Sequence, residues 1–431
     1  MSPSRRSFLG GAAALAATPG IARAAPLPAD AEAFFGPHQG GIATRQQNQI
    51  YFAAFDLVAT SRAEVIALLR AWTEAAARLT RGLPAQAMEQ TFHPVPGASA
   101  EAGYGAEEAR ETPDPATMAP DSGEALGMGP SRLTLTFGFG AGLFEKDGKD
   151  RYGLAKARPA ALVDLPRFVG DQMAKGATDG DLAIQACADD PQVAFHAIRQ
   201  LARIGDAVVR LRWVQAGFNP PTPPGQTPRN LMGFKDGTNN VAAGDEASMA
   251  RHVWVGTEGP GWMQGGSYLV ARRIRIALEH WDRMRVAFQE QTFGRHKISG
   301  APLGERHEHA PLPLAAKDRD GNPVIAENAH VRLAAPESNG GAQILRRSYA
   351  FNDGAAFTAE RWPPWRQGME YEAGLFFVAF QRDPRTGFIR IFERMAKFDM
   401  MNQFTTHVGS GLFACPGGAK PGEFIGQALF V

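Results

Sequence analysis

The stretch Asp181-Leu-Ala-Ile-Gln-Ala-Cys-Ala-Asp-Asp-Pro191 joins a short apolar run to an Asp-Pro pair. The apolar run predicts a strand over 181–188, and Asp190-Pro191 predicts the start of a helix that continues to about residue 204. The same order recurs in the second half of the chain, where the segment 374–381 is followed by Asp383-Pro384. A strand that leads into an Asp-Pro helix start therefore occurs twice, which indicates a duplicated unit.

Further elements of this unit can be read in the first half. An aromatic-rich alternating segment predicts a strand over 49–59. Ser61 and Glu64 form a capping box, which predicts a helix from there to about residue 79. Strands are also predicted over 133–139 and 207–214.

The second half shows a comparable order. We predict a strand over 266–277, a helix over 279–293 and a short strand near 411–414. Strands and helices in this order predict an α+β fold of two duplicated ferredoxin-like units, with antiparallel or mixed sheets.

The first 24 residues predict an export signal that is separate from the fold. Arg5 and Arg6 precede an apolar, alanine-rich run, and Ala22-Arg23-Ala24 has the small residues of a cleavage site. Paired arginines are typical of the twin-arginine route, so we expect the mature protein in the periplasm. The apolar run is shorter than the ~20 residues that span a bilayer, so we expect no membrane anchor.

The remaining chain divides into three parts. Residues 25–218 form the first predicted unit, and residues 266–431 form the second. Residues 219–265 connect them and begin with the proline-rich run 219–228, which is incompatible with a helix or a central strand.

The bulk composition is that of a globular protein. Of its residues, 44% are hydrophobic and 21% are charged. A length of 431 residues is enough for one large or two medium domains. A net charge of +1 gives no electrostatic reason to expect nucleic acid or an anionic membrane as a partner. Cys187 and Cys415 are too few for a disulfide framework, and two buried thiols are favoured over a single bridge.

The polar loop Gly233-Phe-Lys-Asp-Gly-Thr-Asn-Asn240 presents one carboxylate, Asp236, shortly after the proline-rich run. Taken alone, the loop is typical of an ordinary Asp-Gly turn. His330 alone is typical of a packed core histidine, and Arg346-Arg347 is typical of a solvated pair. Their chemistry becomes specific only when the three segments are considered together.

The sequence contains none of the common zinc or calcium motifs in complete form. The sequence lacks the His-Glu-x-x-His and paired Cys-x-x-Cys patterns of the usual zinc sites. His307-Glu308-His309 is more typical of a solvated loop than of a metal site. The segment 318–322 begins like a calcium loop but lacks the final glutamate, so a tight turn is predicted.

Together the three segments resemble the dye-decolorizing (DyP-type) haem peroxidases. The motifs are Gly-x-x-Asp-Gly-Thr at 233–238, Ala-His-Val-Arg at 329–332 and Leu-Arg-Arg at 345–347. Gly-Pro-His-Gln-Gly-Gly-Ile at 36–42 and Gly-Arg-His-Lys at 294–297 are similar to the EfeB subgroup of exported deferrochelatase/peroxidases. The resemblance extends over essentially the whole mature chain. It implies a barrel of two ferredoxin-like halves, which agrees with the duplicated unit.

The resemblance also implies a haem b site between the two halves. His330 would be the proximal ligand of the haem iron. Asp236, in the connecting segment, would lie on the distal side and move the proton that cleavage of hydrogen peroxide requires. Arg346 would stabilise the charge on the departing oxygen, and the resemblance favours it over Arg347.

Further haem contacts are implied beside these three residues. They are Gly237, Thr238 and Asn239 after the distal carboxylate, and Ala335, Pro336 and Glu337 after the iron ligand. The subgroup has Asn-Pro-Arg at this last position, so one basic side chain is missing here, and Arg332 is a candidate to replace it.

The sequence also suggests residues that support the haem site. A ligating histidine normally donates its second N–H to a carboxylate or a carbonyl, and Asp383 and Glu393 are candidates for this role beside His330. Four aromatic residues are candidates to relay electrons from a donor at the surface. The alternative is that they are ordinary core or surface side chains. The set is Trp362, Trp365, Tyr349 and Tyr371.

Three functions are compatible with these residues. The first is an exported peroxidase that oxidises dyes, phenols or porphyrinogens. The second is a deferrochelatase that releases iron from haem during iron uptake and leaves the porphyrin intact. The third is a haem-binding or iron-relay protein without turnover. Asp236 and Arg346 favour the first over the third, because a carrier does not need a distal acid–base pair. No feature of the sequence separates the peroxidase from the deferrochelatase.

The expected partners follow from these functions. They are hydrogen peroxide and small aromatic or porphyrin substrates, together with iron-uptake proteins. A homodimer is the expected assembly.

Overall fold

Antiparallel β-strands form the framework of the molecule. The computed structural model describes residues 27–88, 120–223, 225–359 and 367–431, so the export signal predicted at 1–24 lies outside the described residues, as do Trp362 and Trp365. The strands of the described part are β1 (Gln49–Leu57), β2 (Thr134–Phe139), β3 (Leu182–Ala188), β4 (Val209–Phe218), β5 (Ser267–Ile276), β6 (Leu345–Arg346), β7 (Tyr349–Ala359), β8 (Gln367–Gln381) and β9 (Thr405–Cys415).

The helices pack against these strands. They are α1 (Arg62–Leu79), α2 (Ala141–Phe144), α3 (Pro191–Ile204), α4 (Glu246–His252), α5 (Leu278–Asp282), α6 (Val286–Phe293), α7 (His330–Ala334) and α8 (Arg390–Phe398). The Ser61 hydroxyl accepts the backbone N–H of Glu64, and the Asp190 carboxylate accepts that of Gln192. Both predicted helix starts are therefore confirmed. No helix in the described ranges combines the length and apolarity needed to cross a membrane.

The strand order repeats between the two halves of the chain. In the first half the neighbouring strands run β4-β1-β3-β2, and in the second half they run β9-β5-β8-β7. When these four strands of each half are numbered in chain order, with the two-residue β6 left out, both orders read 4-1-3-2, and the pairs are antiparallel. The duplicated ferredoxin-like unit inferred from 181–191 and 374–384 is therefore present in the strand order itself.

Two single pairings close the halves into a barrel. Phe139 of β2 pairs with Ala414 of β9, and Phe218 of β4 pairs with Ala350 of β7. The short β6 pairs with β8 on the same edge as β7, which follows it in the chain. The fold is an α+β structure around a closed antiparallel barrel, as predicted, and closure leaves few exposed strand edges.

Two sequence predictions differ from the structure. The predicted helix over 279–293 is divided into α5 and α6, and the Gln289 amide bridges the break by donating to the carbonyls of Trp281 and Met284. Strand β7 was not predicted, since Asn352-Asp353-Gly354 has the composition of a turn. In the structure Gly354 has a φ of +93° beside a break in the β7–β8 register, so these residues form a bulge within the strand.

Three apolar cores position the elements. One packs α1 and α3 on the outside of strands β1 to β3 and extends to β5, β9 and α8. A second fills the barrel and contains the free, buried Cys187 and Cys415. Two separate buried thiols are therefore confirmed. The third core joins Met232, Phe234, Trp281, Phe293 and Phe404 beside the connecting segment. Full burial of one phenylalanine contributes about 1.5–3 kcal/mol, so this small core is sufficient to anchor a loop.

Candidate functional site

A large cavity lies between strands β5, β8 and β9 and helices α7 and α8. The strands contribute side chains such as Ile274 and Phe377, and α8 contributes Phe392 and Met395. The volume open to the centres of water molecules is about 240 Å³. A single buried water needs only about 10–15 Å³, so the space suits a much larger ligand. Its walls are mainly apolar, with a few polar groups at defined points.

The loop that carries Asp236 is anchored on both sides of its carboxylate. The Asn230 side chain accepts the backbone N–H groups of Met232 and Phe234. The Phe234 ring is buried and stacks on Phe293, with centroids 3.9 Å apart. Gly237 follows Asp236 with a φ of +117°, a conformation that favours glycine. This turn leaves the Asp236 side chain at the cavity wall.

Arg346 joins this loop from β6. Its Nη1 donates to Oδ1 of Asp236 at 2.9 Å, and both side chains line the cavity. Asn240 fixes the backbone at the same point, because its side-chain amide donates to the Arg346 carbonyl and accepts the Arg346 N–H. Asn240 therefore fixes the backbone of Arg346, and the side chain of Arg346 contacts Asp236 in the same loop as Asn240.

Arg347 points in the opposite direction, as alternation along a strand requires. It is buried, with an exposed fraction of 4%. Its guanidinium donates to the carbonyl of Thr44 and to the Gln47 side chain. Arg347 is absent from the cavity wall that the described residues form, so Arg346 is the arginine of this pair that is available to a ligand.

His330 reaches the same cavity from the first turn of α7. Its Nδ1 lies 2.7 Å from Oδ2 of Asp399, which is buried, and the other Asp399 oxygen accepts the N–H of Met401. Burial lowers the pKa of His330, but the negative charge and hydrogen bond of Asp399 outweigh burial, and the pKa lies above its ordinary value. With Nδ1 engaged by Asp399, Nε2 is the nitrogen that remains for a ligand.

Asp399 replaces the two carboxylates that the sequence suggested for this role. Asp383 instead forms an ion pair with Arg385, and Glu393 is exposed on α8. The prediction of Asp383 or Glu393 was therefore wrong. Asp383 precedes α8 and Glu393 lies on its exposed face, whereas Asp399 follows the last turn of that helix, where the chain passes His330.

The other residues implied by the motifs are divided between cavity wall and surface. Gly237, Thr238, Asn239, Ala335 and Pro336 line the cavity. Glu337 is exposed and does not belong to the wall formed by the described residues.

The missing basic side chain is not replaced by Arg332. Its guanidinium donates to the carbonyls of Ile325 and Leu314, away from the cavity. Arg295 lines the cavity instead. Burial lowers the pKa of the Arg295 guanidinium, and the nearby Glu308 partly offsets this effect.

Comparison with known proteins assigns the chain to a family. The family model described as "Dyp-type peroxidase, N-terminal" matches residues 39–219, and the one described as "Dyp-type peroxidase, C-terminal" matches residues 227–420. The chain belongs to the Dyp-type peroxidase family. A dye-decolorizing peroxidase of Thermobifida fusca (strain YX) is 36% identical, with 99% of this chain and 97% of that protein covered. A deferrochelatase of Escherichia coli (strain K12) is 34% identical, with the same coverage of 99% and 97%.

Solved structures of Dyp-type peroxidases have the same fold. DtpA from Streptomyces lividans is 39% identical and superposes with a TM-score of 0.78, covering 93% of this chain and 98% of that one. A Dyp-type peroxidase from Streptomyces coelicolor is 38% identical with a TM-score of 0.78, covering 94% and 99%. The barrel and the enzyme family expected from the motifs are thus confirmed.

Four residues that line the cavity of this Dyp-type peroxidase or contact its lining residues were not predicted from the sequence. Asp399, Arg295 and Glu308 are distant in sequence from Asp236, and their relevance depends on the packing of loops. Asn240 ended the quoted loop, but its contacts with Arg346 required the tertiary structure. Sequence spacing carried no signal for the first three, although Arg295 lies in the Gly-Arg-His-Lys motif.

The other predicted features are mostly structural. The segment 318–322 is a tight turn, closed by the N–H of Asp318 donating to the Asn322 carbonyl. Tyr349 is fully buried and Tyr371 is 57% exposed. His307 and His309 belong to no cluster of metal-ligating side chains within the ranges that the structure describes, where the cluster found is Asp121, Glu124 and His196.

Proposed function

We propose that this Dyp-type peroxidase is an exported haem b enzyme that reduces hydrogen peroxide and oxidises dyes, phenols or porphyrinogens. The observation that carries the proposal is one cavity that contains His330, backed by Asp399, together with the paired Asp236 and Arg346. An imidazole and an acid–base pair in a large apolar space are the side chains that peroxide chemistry at a haem requires.

The residues present fit a haem group. The cavity has room for a large flat ligand, and its apolar walls suit a porphyrin face. Dyp-type peroxidases depend on haem, and DtpA from Streptomyces lividans forms an oxyferrous complex. The chain has only Cys187 and Cys415, so it lacks the Cys-x-x-Cys-His motif of covalent c-type attachment. A non-covalent b-type haem is the form consistent with these residues.

His330 would hold the iron through Nε2. Asp399 accepts the Nδ1 proton, which fixes the tautomer and orientation of the ring and makes the free nitrogen a stronger donor. Haem, when bound, supplies the two-electron redox chemistry that amino-acid side chains do not provide.

Asp236 and Arg346 would act on peroxide itself. The Asp236 carboxylate accepts a proton from one peroxide oxygen and returns it to the other, which then leaves as water. The guanidinium of Arg346 holds peroxide by charge-assisted hydrogen bonds and stabilises negative charge on the leaving oxygen. Their contact of 2.9 Å keeps both groups in place before substrate arrives.

Two variants test the proposed roles. His330→Ala is expected to abolish or severely weaken the Soret band of the purified protein. Asp236→Asn is expected to retain haem but to react with peroxide about 10²–10⁴ times more slowly in stopped-flow absorption. An unchanged haem spectrum in His330→Ala excludes His330 as the ligand, and a wild-type peroxide rate in Asp236→Asn excludes the distal role.

Deferrochelatase activity is the second candidate, because several relatives at 34% identity over 99% of this chain carry that name. Anaerobic incubation of the holoprotein with a reductant distinguishes the two. Metal-free porphyrin, detected by fluorescence, supports iron removal. Its absence together with rapid peroxide-dependent dye oxidation supports peroxidase function, and absence of both activities indicates a haem carrier.

Export rests on the amino-terminal sequence. Arg5-Arg6, the apolar run and Ala22-Arg23-Ala24 support passage by the twin-arginine route to the periplasm. Replacement of Arg5 and Arg6 by lysine is expected to retain the unprocessed protein in the cytoplasm, as measured by cell fractionation. Processed protein at wild-type amounts outside the cytoplasm would contradict this route.

A further inference from the structure

We propose that Glu308 is a positioning residue for Asp236, because its carboxylate fastens the loop on both sides of that residue. The inference rests on the distal role proposed above for Asp236. It gives a function to the His307-Glu308-His309 segment that is unrelated to metal binding.

Glu308 contacts the distal loop at two points, and Nε2 of the exposed His309 lies 3.9 Å from its Oε1. Oε2 of Glu308 pairs with Nζ of Lys235, and Oε1 accepts the hydroxyl of Thr238 at 3.1 Å. These two residues lie immediately before Asp236 and two positions after it. The side chain of Glu308 is 13% exposed, so solvent screens these contacts only weakly.

The negative charge of Glu308 strengthens these two contacts. Burial would raise the pKa of Glu308, but hydrogen bonds from side chains such as Lys235 and Thr238 outweigh burial and lower it. The carboxylate therefore stays charged, and charge-assisted hydrogen bonds are the stronger kind.

Glu308 is itself held in place. Its backbone carbonyl accepts from Nη1 of the buried Arg295 at 2.9 Å, and the same nitrogen donates to the carbonyl of Gly300. A side chain at Gly300 would meet Cδ of Lys235 at 2.7 Å, so glycine leaves the space through which Lys235 reaches Glu308. Arg295 therefore fixes the backbone at Glu308, and Gly300 leaves room for the Lys235 side chain that pairs with it.

The Glu308 contacts flank a backbone position that offers little resistance of its own. Gly237, directly after Asp236, is the most permissive of residues and resists displacement little by itself. A shift of about 1 Å in a reacting group can cost up to about 10²-fold in rate. Loss of the Glu308 contacts is therefore expected to affect peroxide activation while leaving His330 and the haem environment intact.

The test measures the peroxide reaction of the holoenzyme in a double-mutant cycle. Glu308→Gln is expected to lower the second-order rate constant for hydrogen peroxide about tenfold. The Soret spectrum, the haem stoichiometry and the rate of donor oxidation at saturating peroxide are expected to stay unchanged. In the Asp236→Asn background, the same change is expected to alter the rate by less than about twofold, because the group that it positions is already lost.

Two matched variants control the result. Glu305→Gln removes a carboxylate from the same segment whose side chain makes no hydrogen bond or ion pair in the described structure, and it is expected to react like wild type. Lys235→Met removes the partner of Glu308 and is expected to reproduce the defect of Glu308→Gln without adding to it.

Each remaining outcome decides against the inference. A wild-type rate in Glu308→Gln, alongside a slow Asp236→Asn enzyme, overturns the positioning role and leaves the proposed function standing. Equal losses in both backgrounds, with a lower melting temperature, identify a purely structural residue. A wild-type rate in Asp236→Asn overturns the proposed distal role first, and the inference from Glu308 falls with it.

Discussion

Nδ1 of His330 lies 2.7 Å from Oδ2 of Asp399, and the two residues are 69 positions apart in the sequence. Asp399 is buried at the end of α8 and also accepts the N–H of Met401. The hydrogen bond to Oδ1 thus orients the Asp399 carboxylate so that Oδ2 faces Nδ1 of His330.

Asp399→Asn is expected to weaken this support without removing the ligand. A neutral amide makes the imidazole a poorer donor, so haem affinity should fall by about 10–100-fold and the iron reduction potential should rise. Haem titration and spectroelectrochemistry measure the two effects. Asp383→Asn is the matched control, because Asp383 pairs with Arg385 instead. Identical potentials in both variants would contradict the role of Asp399.

Arg346→Leu and Arg347→Leu are expected to give opposite results. The first removes a cavity guanidinium, so the peroxide rate should fall about 10²–10³-fold with haem retained. The second leaves the Thr44 carbonyl and the Gln47 side chain without their buried donor, so the free energy of unfolding should fall by about 1–3 kcal/mol. Stopped-flow kinetics and urea unfolding separate the two, and a slow but fully stable Arg347→Leu enzyme would reverse the assignment.

Asn240→Ala is expected to loosen the link between the distal loop and β6. Two hydrogen bonds with the Arg346 backbone are lost, each contributing about 0.5–1.5 kcal/mol. The peroxide rate should fall about tenfold, since Arg346 is no longer held against Asp236. Asn322→Ala, in the exposed turn at 318–322, controls for a generic asparagine effect. If both variants react alike, Asn240 has no special role.

Glu124 is expected to stabilise the fold above pH 4.5 and to lose this contribution at lower pH. Burial alone would raise its pKa, but a hydrogen bond from Ser122 and contacts with His196 outweigh burial and lower the pKa from 4.5 to about 2. A depressed folded-state pKa contributes stability above the unfolded value, and this stability is lost as pH falls from 4.5 towards 2.

Glu124→Gln tests this pH dependence. The variant should be less stable than wild type near neutral pH, and the difference should shrink as pH falls through that window. Urea unfolding at a series of pH values measures it. Glu145→Gln changes an exposed glutamate and should follow the wild-type curve. A stability difference that is constant across the window would refute the prediction.

Helix starts were predictable because their determinants are neighbours in the chain. Ser61 and Asp190 cap helices through N–H groups within three residues, so composition and order suffice. Strand β7 was not predictable in the same way, since its bulge at 352–355 depends on pairing with β8. Its polar residues are tolerated there because the strand extends beyond the core and is largely exposed.

The sequence alone determined the duplicated α+β unit, and its motifs indicated His330, Asp236 and Arg346 as candidates. Only the tertiary structure decided that Asp399 supports His330, that Arg346 and not Arg347 faces the cavity, and that Glu308 reaches the distal loop. The reason is physical. Caps and alternating strands depend on contacts within a few residues, whereas these pairs depend on strand register and on how α8 and the loop at 294–316 pack against the barrel.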